Sequence, residues 1–306
     1  IKPEIVAFDL HPDYLSTKFA KSLNISNEIG VQHHYAHMAS FLAQGKPNGK
    51  VIGVTFDGTG FGLDGNIWGG EFLIGDLTGF ERKGHLKYVP MPGGERAIKE
   101  PWRMAASWLY QIYGEDFLNL RIKFVDELDR SKWAILKKMI DRKINSPLTS
   151  SIGRLFDAVS SLIGIRGKVE YEAQAAIELE GIAEKDVRDF YEFNIEPEGG
   201  LYVIDPSPIF ISIVEDLRKN IATSVISARF HNSISRLINE VCMKLRDSLA
   251  IEVVVLSGGV FLNRYLVNKV KPQLVANGFK LLEDDRIPVG DSGISIGQAL
   301  IADRRS

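Results

Sequence analysis

The sequence predicts an α/β fold, in which strands and helices alternate along the chain. Three stretches indicate it. An apolar strand over residues 4–10 is followed by a helix. A second strand, over residues 51–56, runs into Asp57-Gly58-Thr59-Gly60, and a third, over residues 252–256, runs into Ser257-Gly258-Gly259 and a further helix. Strand, glycine turn and helix in this order are typical of open α/β sheets, which collect ligands at the carboxyl ends of their strands.

The composition is that of a globular protein with ordinary charge. Of the 306 residues, 45% are hydrophobic, and the formal net charge is −2. This hydrophobic fraction is enough for the core of one large domain or of two packed lobes. The charge balance predicts no nucleic-acid partner. No apolar run reaches the ~20 residues of a transmembrane helix, so no membrane is expected. The single cysteine, Cys242, excludes an internal disulfide and favours a cytoplasmic location. The start at Ile1 predicts a fragment of a longer protein.

The first elements follow from local composition. Residues 4–10 are β-branched and aromatic, which predicts a short buried strand, and His11-Pro12-Asp13 predicts a turn after it. Residues 14–23 predict a helix and residues 30–32 the tip of a second strand. That strand leads into the next helix.

The stretch from Val31 to His37 reads V-Q-H-H-Y-A-H and precedes an apolar run, so it opens a helix. Residues four apart share a helix face, which places His33 and His37 side by side and turns His34 away. Two imidazoles at that spacing can bind one cation. A helix that merely begins with histidines explains the pattern equally well, so the spacing alone leaves both interpretations open.

Asp57 is a second candidate, because it ends the strand over residues 51–56. Its glycine neighbours let the backbone approach a ligand closely, although a plain turn is the competing explanation. Residues 66–76 predict the next strand and residues 84–89 its partner, as in a meander.

From residue 99 to about residue 250 the chain is mostly helical. Pro101 suits a helix start, Cys242 lies beside the apolar face of a long helix, where packing explains it, and Gly199-Gly200 suits a small hairpin within residues 194–204. Helices are predicted over residues 99–113, 131–142, 150–163, 172–183 and 221–249.

The last part of the chain holds a second glycine turn and a third candidate acid. Gly258 and Gly259 precede a helix predicted from about Val260 to Ala276, and free backbone N–H groups at such a turn can bind a phosphate. Asn263, one turn into that helix, could offer its amide to a ribose or a phosphate. Asp291 lies in a glycine-rich turn before the terminal helix, either as an N-cap or as an acidic ligand.

Long motifs in order along the chain resemble the C-terminal module of the HypF family of hydrogenase maturation carbamoyltransferases. The resemblance covers essentially all 306 residues and extends to tRNA threonylcarbamoyl transferases and antibiotic O-carbamoyltransferases. The motifs are V-Q-H-H-Y-A-H, F-D-G-T-G-F-G, I-W-G-G-E-F, S-S-I-G-R-L-F-D-A-V-S-S-L, Y-E-A-Q-A-A-I-E-L-E, L-S-G-G-V-F-L-N and G-D-S-G-I-S-I-G-Q-A.

The resemblance implies a two-lobed actin and sugar-kinase fold (ASKHA, RNase H-like), with nucleotide and metal in the cleft between lobes. Lobe I would comprise residues 1–95 and 289–306, without its first hairpin. Lobe II would comprise residues 96–288, largely helical and carrying the Ser-Gly-Gly turn. The family's acylphosphatase, zinc-finger and carbamoyl-adenylate-forming domains would lie upstream, outside this chain.

The implied chemistry is transfer of a carbamoyl group from carbamoyl-adenylate to the C-terminal cysteine thiol of a partner, HypE, on the way to the cyanide ligand of a nickel–iron hydrogenase. The resemblance implies a metal held by the two candidate histidines and two aspartates, which are also the catalytic residues. Mixed N/O ligation favours zinc or iron over magnesium. These residues are His33, His37, Asp57 and Asp291.

ATP, AMP or carbamoyl-adenylate is the implied nucleotide. It would lie on Gly258 and Gly259, with Asn263 nearby, and Gly69 and Gly70 would approach the acyl phosphate. By family analogy, Asp157 and Glu172 would hold the ribose hydroxyls or the adenine. Both acids lie in predicted helices. The competing explanation is that each is an ordinary exposed carboxylate without a ligand role, which is the usual case on a helix.

Three other functions fit parts of the same pattern. A tRNA threonylcarbamoyl transferase would share the fold but would need a basic groove, which the charge balance does not favour. A phosphotransferase of the sugar- or acetate-kinase type would need no histidine pair. A non-catalytic docking platform for HypE would bind nucleotide only to shape an interface.

Overall fold

The computed structural model describes residues 3–45 and 49–306. Its first elements are two parallel strands and three short helices. Strand β1 (Ile5–Asp9) pairs in register with β2 (Asn27–Val31), and α1 (Leu15–Ser22) connects them. Helices α2 (His33–Ser40) and α3 (Leu42–Gly45) follow. The carboxyl ends of β1 and β2 therefore lie side by side at the start of α2, as expected for parallel strands.

A mixed sheet forms the centre of the molecule. Its strands are β3 (Val51–Phe61), β4 (Ile67–Gly75), β5 (Phe80–Leu86), β6 (Val89–Pro90), β7 (Leu148–Thr149), β8 (Asn194–Glu198), β9 (Leu201–Asp205), β10 (Val253–Ser257) and β11 (Lys280–Leu281). The main strands run in the order β11-β10-β3-β4-β5-β9-β8, in which β3, β4 and β5 are an antiparallel meander and β10 and β11 add in parallel beside β3.

Helices cover this sheet. The longest of the described helices, α11, runs from Thr223 to Leu249, and α13 (Ile294–Arg305) packs against α2. Aromatic and branched side chains from strands and helices form a large buried core, and a smaller one lies beneath α2 and α13. The helices are α4 (Glu95–Lys99), α5 (Trp102–Tyr113), α6 (Lys123–Asp126), α7 (Arg130–Asp141), α8 (Ile152–Leu162), α9 (Gln174–Gly181), α10 (Ser207–Arg218), α11 (Thr223–Leu249), α12 (Arg264–Ala276) and α13 (Ile294–Arg305).

The predicted α/β class and most elements are confirmed, and several details differ. Strand β3 continues through Asp57-Gly58-Thr59-Gly60 to Phe61, so this stretch is a bulge inside a strand, not a terminal turn. Helix α9 begins at Gln174, after Glu172. Helix α12 begins at Arg264, after a 3-10 turn over Gly259–Leu262. Helix α10 has no counterpart among the predicted helices, and its prolines, Pro206 and Pro208, stand at its start, where proline is tolerated.

The sheet takes strands from both ranges that the sequence analysis assigns to separate lobes. Strands β3, β4 and β5 come from residues before 96, whereas β8, β9, β10 and β11 come from residues after 96. The division into two lobes therefore stays a prediction. None of the helices in the described ranges is both long and apolar enough to cross a membrane.

Candidate metal centre and glycine turns

Two histidines and two aspartates meet where α2, β3 and the start of α13 converge. His33 and His37 lie one turn apart on α2, and both direct Nε2 at Asp57 Oδ2, at 3.1 and 3.2 Å. Asp291 Oδ1 lies 3.3 Å from His37 Nε2 and 3.9 Å from His33 Nε2. The helix spacing thus brings the two imidazoles together as predicted, while His34 turns away and packs against Gly60 and Trp68.

These four side chains fit a metal ion. One donor atom from each lies within 4.8 Å of all the others. A tetrahedral ion with ligand bonds of about 2.0–2.2 Å separates its donors by about 3.3–3.6 Å, and the observed separations straddle that range. Two imidazole nitrogens and two carboxylate oxygens suit zinc or another transition metal. Three of the side chains are buried and Asp291 is exposed, so the centre is open on one side.

In both histidines the second ring nitrogen, Nδ1, also has a hydrogen-bond partner, and this contact orients Nε2 toward the centre. The Nδ1–H of His33 donates to Asp9 Oδ2 at 2.8 Å, and His37 Nδ1 lies 3.3 Å from Ser257 Oγ. Such partners fix the ring orientation and the tautomer of a metal-binding histidine. Asp9 is buried at the end of β1. No local sequence pattern links it to the histidine pair, because it lies 24 residues from His33 along the chain.

Opposite charges dominate the centre. Burial alone would lower the pKa of His33, but hydrogen bonds with Asp57 and Asp9 outweigh it and raise the pKa to about 10. Burial would raise the pKa of Asp57, but the two imidazoles hold it well below its usual range. His34 shows the contrast, because burial without such a carboxylate partner lowers its pKa. The surroundings therefore favour the charged forms of both His33 and Asp57, which stabilise each other.

We expect Asp9→Asn to weaken metal binding by about 10- to 100-fold at unchanged stoichiometry, because the amide keeps the hydrogen bond but loses the negative charge that strengthens His33 as a ligand. Competition with a chromophoric chelator measures the affinity. Asp13→Asn is the matched control, since Asp13 is exposed and pairs with Lys18 at the surface. Equal metal affinities for the two variants would contradict the role assigned to Asp9.

Asp57 also joins the centre to the second glycine turn. Its Oδ1 accepts from the backbone N–H of Gly58 at 2.8 Å and from that of Gly259 at 3.2 Å. Gly258 has a φ of +105°, and a β-carbon there would overlap the carbonyl oxygen of Phe56. Glycine is therefore required where β10 turns away from β3. One carboxylate thus faces both the histidine pair and the predicted nucleotide turn.

Asn263 lies at a different position from the one predicted. It is the N-cap of α12 and not a residue one turn into the helix, and its Oδ1 accepts from the N–H of Leu266 at 2.8 Å. Its Nδ2 donates to Nε2 of buried His231 at 2.9 Å. Burial lowers the pKa of His231 to about 4, so its ring stays a neutral acceptor. Both ends of the Asn263 amide already have partners, and a ligand role for it stays a prediction.

Gly69 and Gly70 pack against the bulge in β3 and the start of α8. A β-carbon on Gly69 would lie 2.6 Å from the carbonyl oxygen of Asp57, and one on Gly70 would overlap the carbonyl oxygen of Ser150. Both backbone N–H groups donate to Oε1 of Glu71 at 3.1 Å. Close packing accounts for these glycines, and their approach to an acyl phosphate stays a prediction.

The two predicted ribose or adenine ligands differ in setting. Asp157 lies on α8 and is buried beside Arg154, against the expectation of an exposed carboxylate. Burial raises its pKa to about 6, although Arg154 lowers it. Glu172 is exposed in the turn before α9, outside any helix. Burial raises the pKa of Tyr14 to about 12, and the charges of Asp9, Asp291, Asp57 and Glu172 add to that increase.

Cys242 is buried within α11, and burial raises the pKa of its thiol. A thiol held protonated in an apolar setting is a poor nucleophile. The prediction that Cys242 serves packing agrees with this environment.

Comparison with protein families gives matches over nearly the whole chain. The family model described as the second subdomain of the carbamoyltransferase Kae1-like domain matches residues 53–298, and the HypF Kae1-like domain matches residues 1–44. Carbamoyltransferase HypF2 of Cupriavidus necator is 34% identical, with 100% of this chain and 40% of the relative covered. Probable carbamoyltransferase HypF of Methanocaldococcus jannaschii is also 34% identical, with 98% and 39% covered.

Solved structures give the same result. A crystal structure of full-length HypF in its phosphate- and nucleotide-bound form superposes with a TM-score of 0.93 at 45% identity, over 99% of this chain and 47% of that one. The structure of T. kodakarensis HypF gives 0.82 at 30% identity, over 96% and 39%. The chain thus spans about two fifths of the length of the first curated relatives.

Proposed function

The chain belongs to the HypF family of carbamoyltransferases, and we propose that it carries the site at which a carbamoyl group passes from carbamoyl-adenylate to the C-terminal cysteine thiol of HypE. One observation supports this most directly. Asp57 contacts both predicted metal-binding histidines through one oxygen and the backbone of Gly259 through the other. A metal and a nucleotide bound at these two places would be neighbours.

The substrate is already activated, so the site needs no nucleophile of its own. In the proposed step the cysteine thiolate of HypE attacks the carbonyl carbon of carbamoyl-adenylate, after its proton has passed to solvent. A C–S bond forms, the C–O bond to the phosphate breaks, and AMP leaves with the electron pair. The buried, protonated Cys242 takes no part. The chain therefore contributes positioning and charge stabilisation.

His33, His37, Asp57 and Asp291 would hold the metal, with Asp9 and Ser257 orienting the two rings. A cation there supplies polarisation of the carbonyl oxygen or neutralisation of the phosphoryl charge. Asp57 Oδ1 fixes the backbone of Gly259, which faces the nucleotide in this proposal. The exposed side of the centre, at Asp291, is the side from which the partner thiol would enter.

Several finer assignments form part of this proposal. Two lobes would enclose the nucleotide, Asp157 and Glu172 would hold its ribose or adenine, and the thiocarboxamide product would serve synthesis of the cyanide ligand. The upstream carbamoyl-adenylate-forming domain would supply the substrate, because the curated relatives are longer proteins. A cytoplasmic location stays a prediction.

The test supplies this chain with preformed carbamoyl-adenylate and a synthetic peptide that matches the HypE C-terminus. We expect AMP release coupled to a peptide mass increase of one carbamoyl group. A peptide that ends in serine should not react, and Cys242→Ser should transfer as well as the wild type. Nucleotide binding without any transfer would contradict the proposal and favour the docking platform.

A further inference from the structure

Arg154 lies beside the bulge that carries Asp57. It is the third residue of α8, whose N-cap is Ser151. Ser151 Oγ lies 2.7 and 2.6 Å from the carbonyl oxygens of Asp57 and Gly58, so the start of α8 is tied to the bulge. A β-carbon on Gly58 would lie 3.8 Å from Arg154 Nη2. The guanidinium is therefore a neighbour of the residue that follows Asp57.

This guanidinium is buried with most of its donors unused. The side chain is 5% exposed, and Nε and Nη1, which together carry three N–H groups, have no hydrogen-bond partner among the described residues. Nη2 lies 2.9 Å from Asp157 Oδ2, but the two groups lack the alignment of a hydrogen bond. Leaving donors of a buried cation unpaired costs considerable free energy, so such an arrangement calls for a further acceptor.

The missing acceptor is best supplied by an anion with several oxygens. A guanidinium presents its donors in a planar fork that matches phosphate or carboxylate. The chain's own carboxylate at this place, Asp157, leaves these three N–H groups unpaired. A phosphoryl group bound beside Gly58 would lie next to Nη2 of this guanidinium.

We propose that Arg154 binds the phosphoryl group of the adenine nucleotide and so positions it next to the metal centre. The inference rests on the proposed function, because it takes the nucleotide from there. It adds a residue that the sequence analysis did not single out. In this proposal Arg154 binds the phosphoryl group, and other contacts bind the nucleoside.

The test is calorimetric binding of AMP, adenosine and inorganic phosphate to the full chain. The variants are Arg154→Gln, which removes the charge, and Arg154→Lys, which keeps the charge and removes the fork. We expect AMP to bind more weakly to both variants, by about 10- to 100-fold for Arg154→Gln, while adenosine binds as in the wild type. Arg103→Gln is the matched control, because Arg103 is a buried arginine on α5 that pairs with Glu100.

Arg154→Lys guards against loss of folding, since it keeps a cation beside Asp157; thermal unfolding of each variant verifies the fold. An unchanged ratio of AMP to adenosine affinity in Arg154→Lys and Arg154→Gln would overturn the inference and leave the proposed function intact. A wild type that binds neither AMP nor adenosine would overturn both. Binding of inorganic phosphate that depends on Arg154, without binding of AMP, would overturn the assignment to a nucleotide.

Discussion

Replacing His37 by alanine is expected to abolish stoichiometric metal binding. The change removes the Nε2 atom that lies 3.2 Å from Asp57 Oδ2 and 3.3 Å from Asp291 Oδ1. Only three of the four ligands then remain. The metal affinity should fall by more than the ~100-fold that follows the loss of a group that only orients a ligand. The measurement is elemental analysis after stripping and reloading with zinc or iron, with the wild type expected at about one metal per chain.

His34→Gln is the matched control, because His34 is the adjacent buried imidazole and faces away from the centre. It should retain the metal. Retention of one metal per chain by His37→Ala, or loss of metal in His34→Gln alone, would show that the ion binds elsewhere.

Replacing Gly297 by alanine is expected to lower the free energy of unfolding by at least about 2 kcal/mol. Gly297 lies where α13 crosses α2, and a β-carbon there would overlap the carbonyl oxygen of Ala36 and lie 2.9 Å from the backbone nitrogen of Ser40. The helices can only move apart, and the core beneath them loses its close packing. Urea or thermal unfolding measures the change.

Gly181→Ala is the control for the loss of a helical glycine, since a β-carbon there meets nothing within 4 Å. It should leave the unfolding free energy unchanged or slightly higher. Gly297→Ala should also weaken metal binding, because Asp291 lies just before α13. Wild-type stability and metal affinity in Gly297→Ala would show that α2 and α13 are not held as close as described.

Local periodicity predicted the parts of the site that lie on one element. The histidine pair follows from the rise of a helix, and the glycine turn after β10 follows from strand-to-helix geometry. Local sequence also predicted that β3 ends at Asp57, because Asp-Gly-Thr-Gly has the composition of a turn. The strand continues because β4 pairs again with Gly60 and Phe61 beyond the bulge, and that partner is set by the sheet.

The residues that the sequence analysis missed depend on distant partners. Asp9 reaches His33 only because β1 and β2 pair in parallel. Arg154 lies on the polar face of an amphipathic helix, a pattern that predicts an exposed side chain, yet every residue of α8 is buried. Asp157, which only the family analogy singled out as a ligand, is buried on the same helix. Burial of charged side chains is a property of the assembled fold, which a single sequence does not state.

The order of the strands in the sheet has a consequence for synthesis of the protein. Strand β10 pairs with β3 yet begins roughly 190 residues after β3 ends, which corresponds to about 10–40 s of translation. During that time one edge of a buried, apolar strand has no partner, and such edges promote association between chains. Asp291 follows β10 along the chain, so the four-residue centre can assemble only after that residue has also been made.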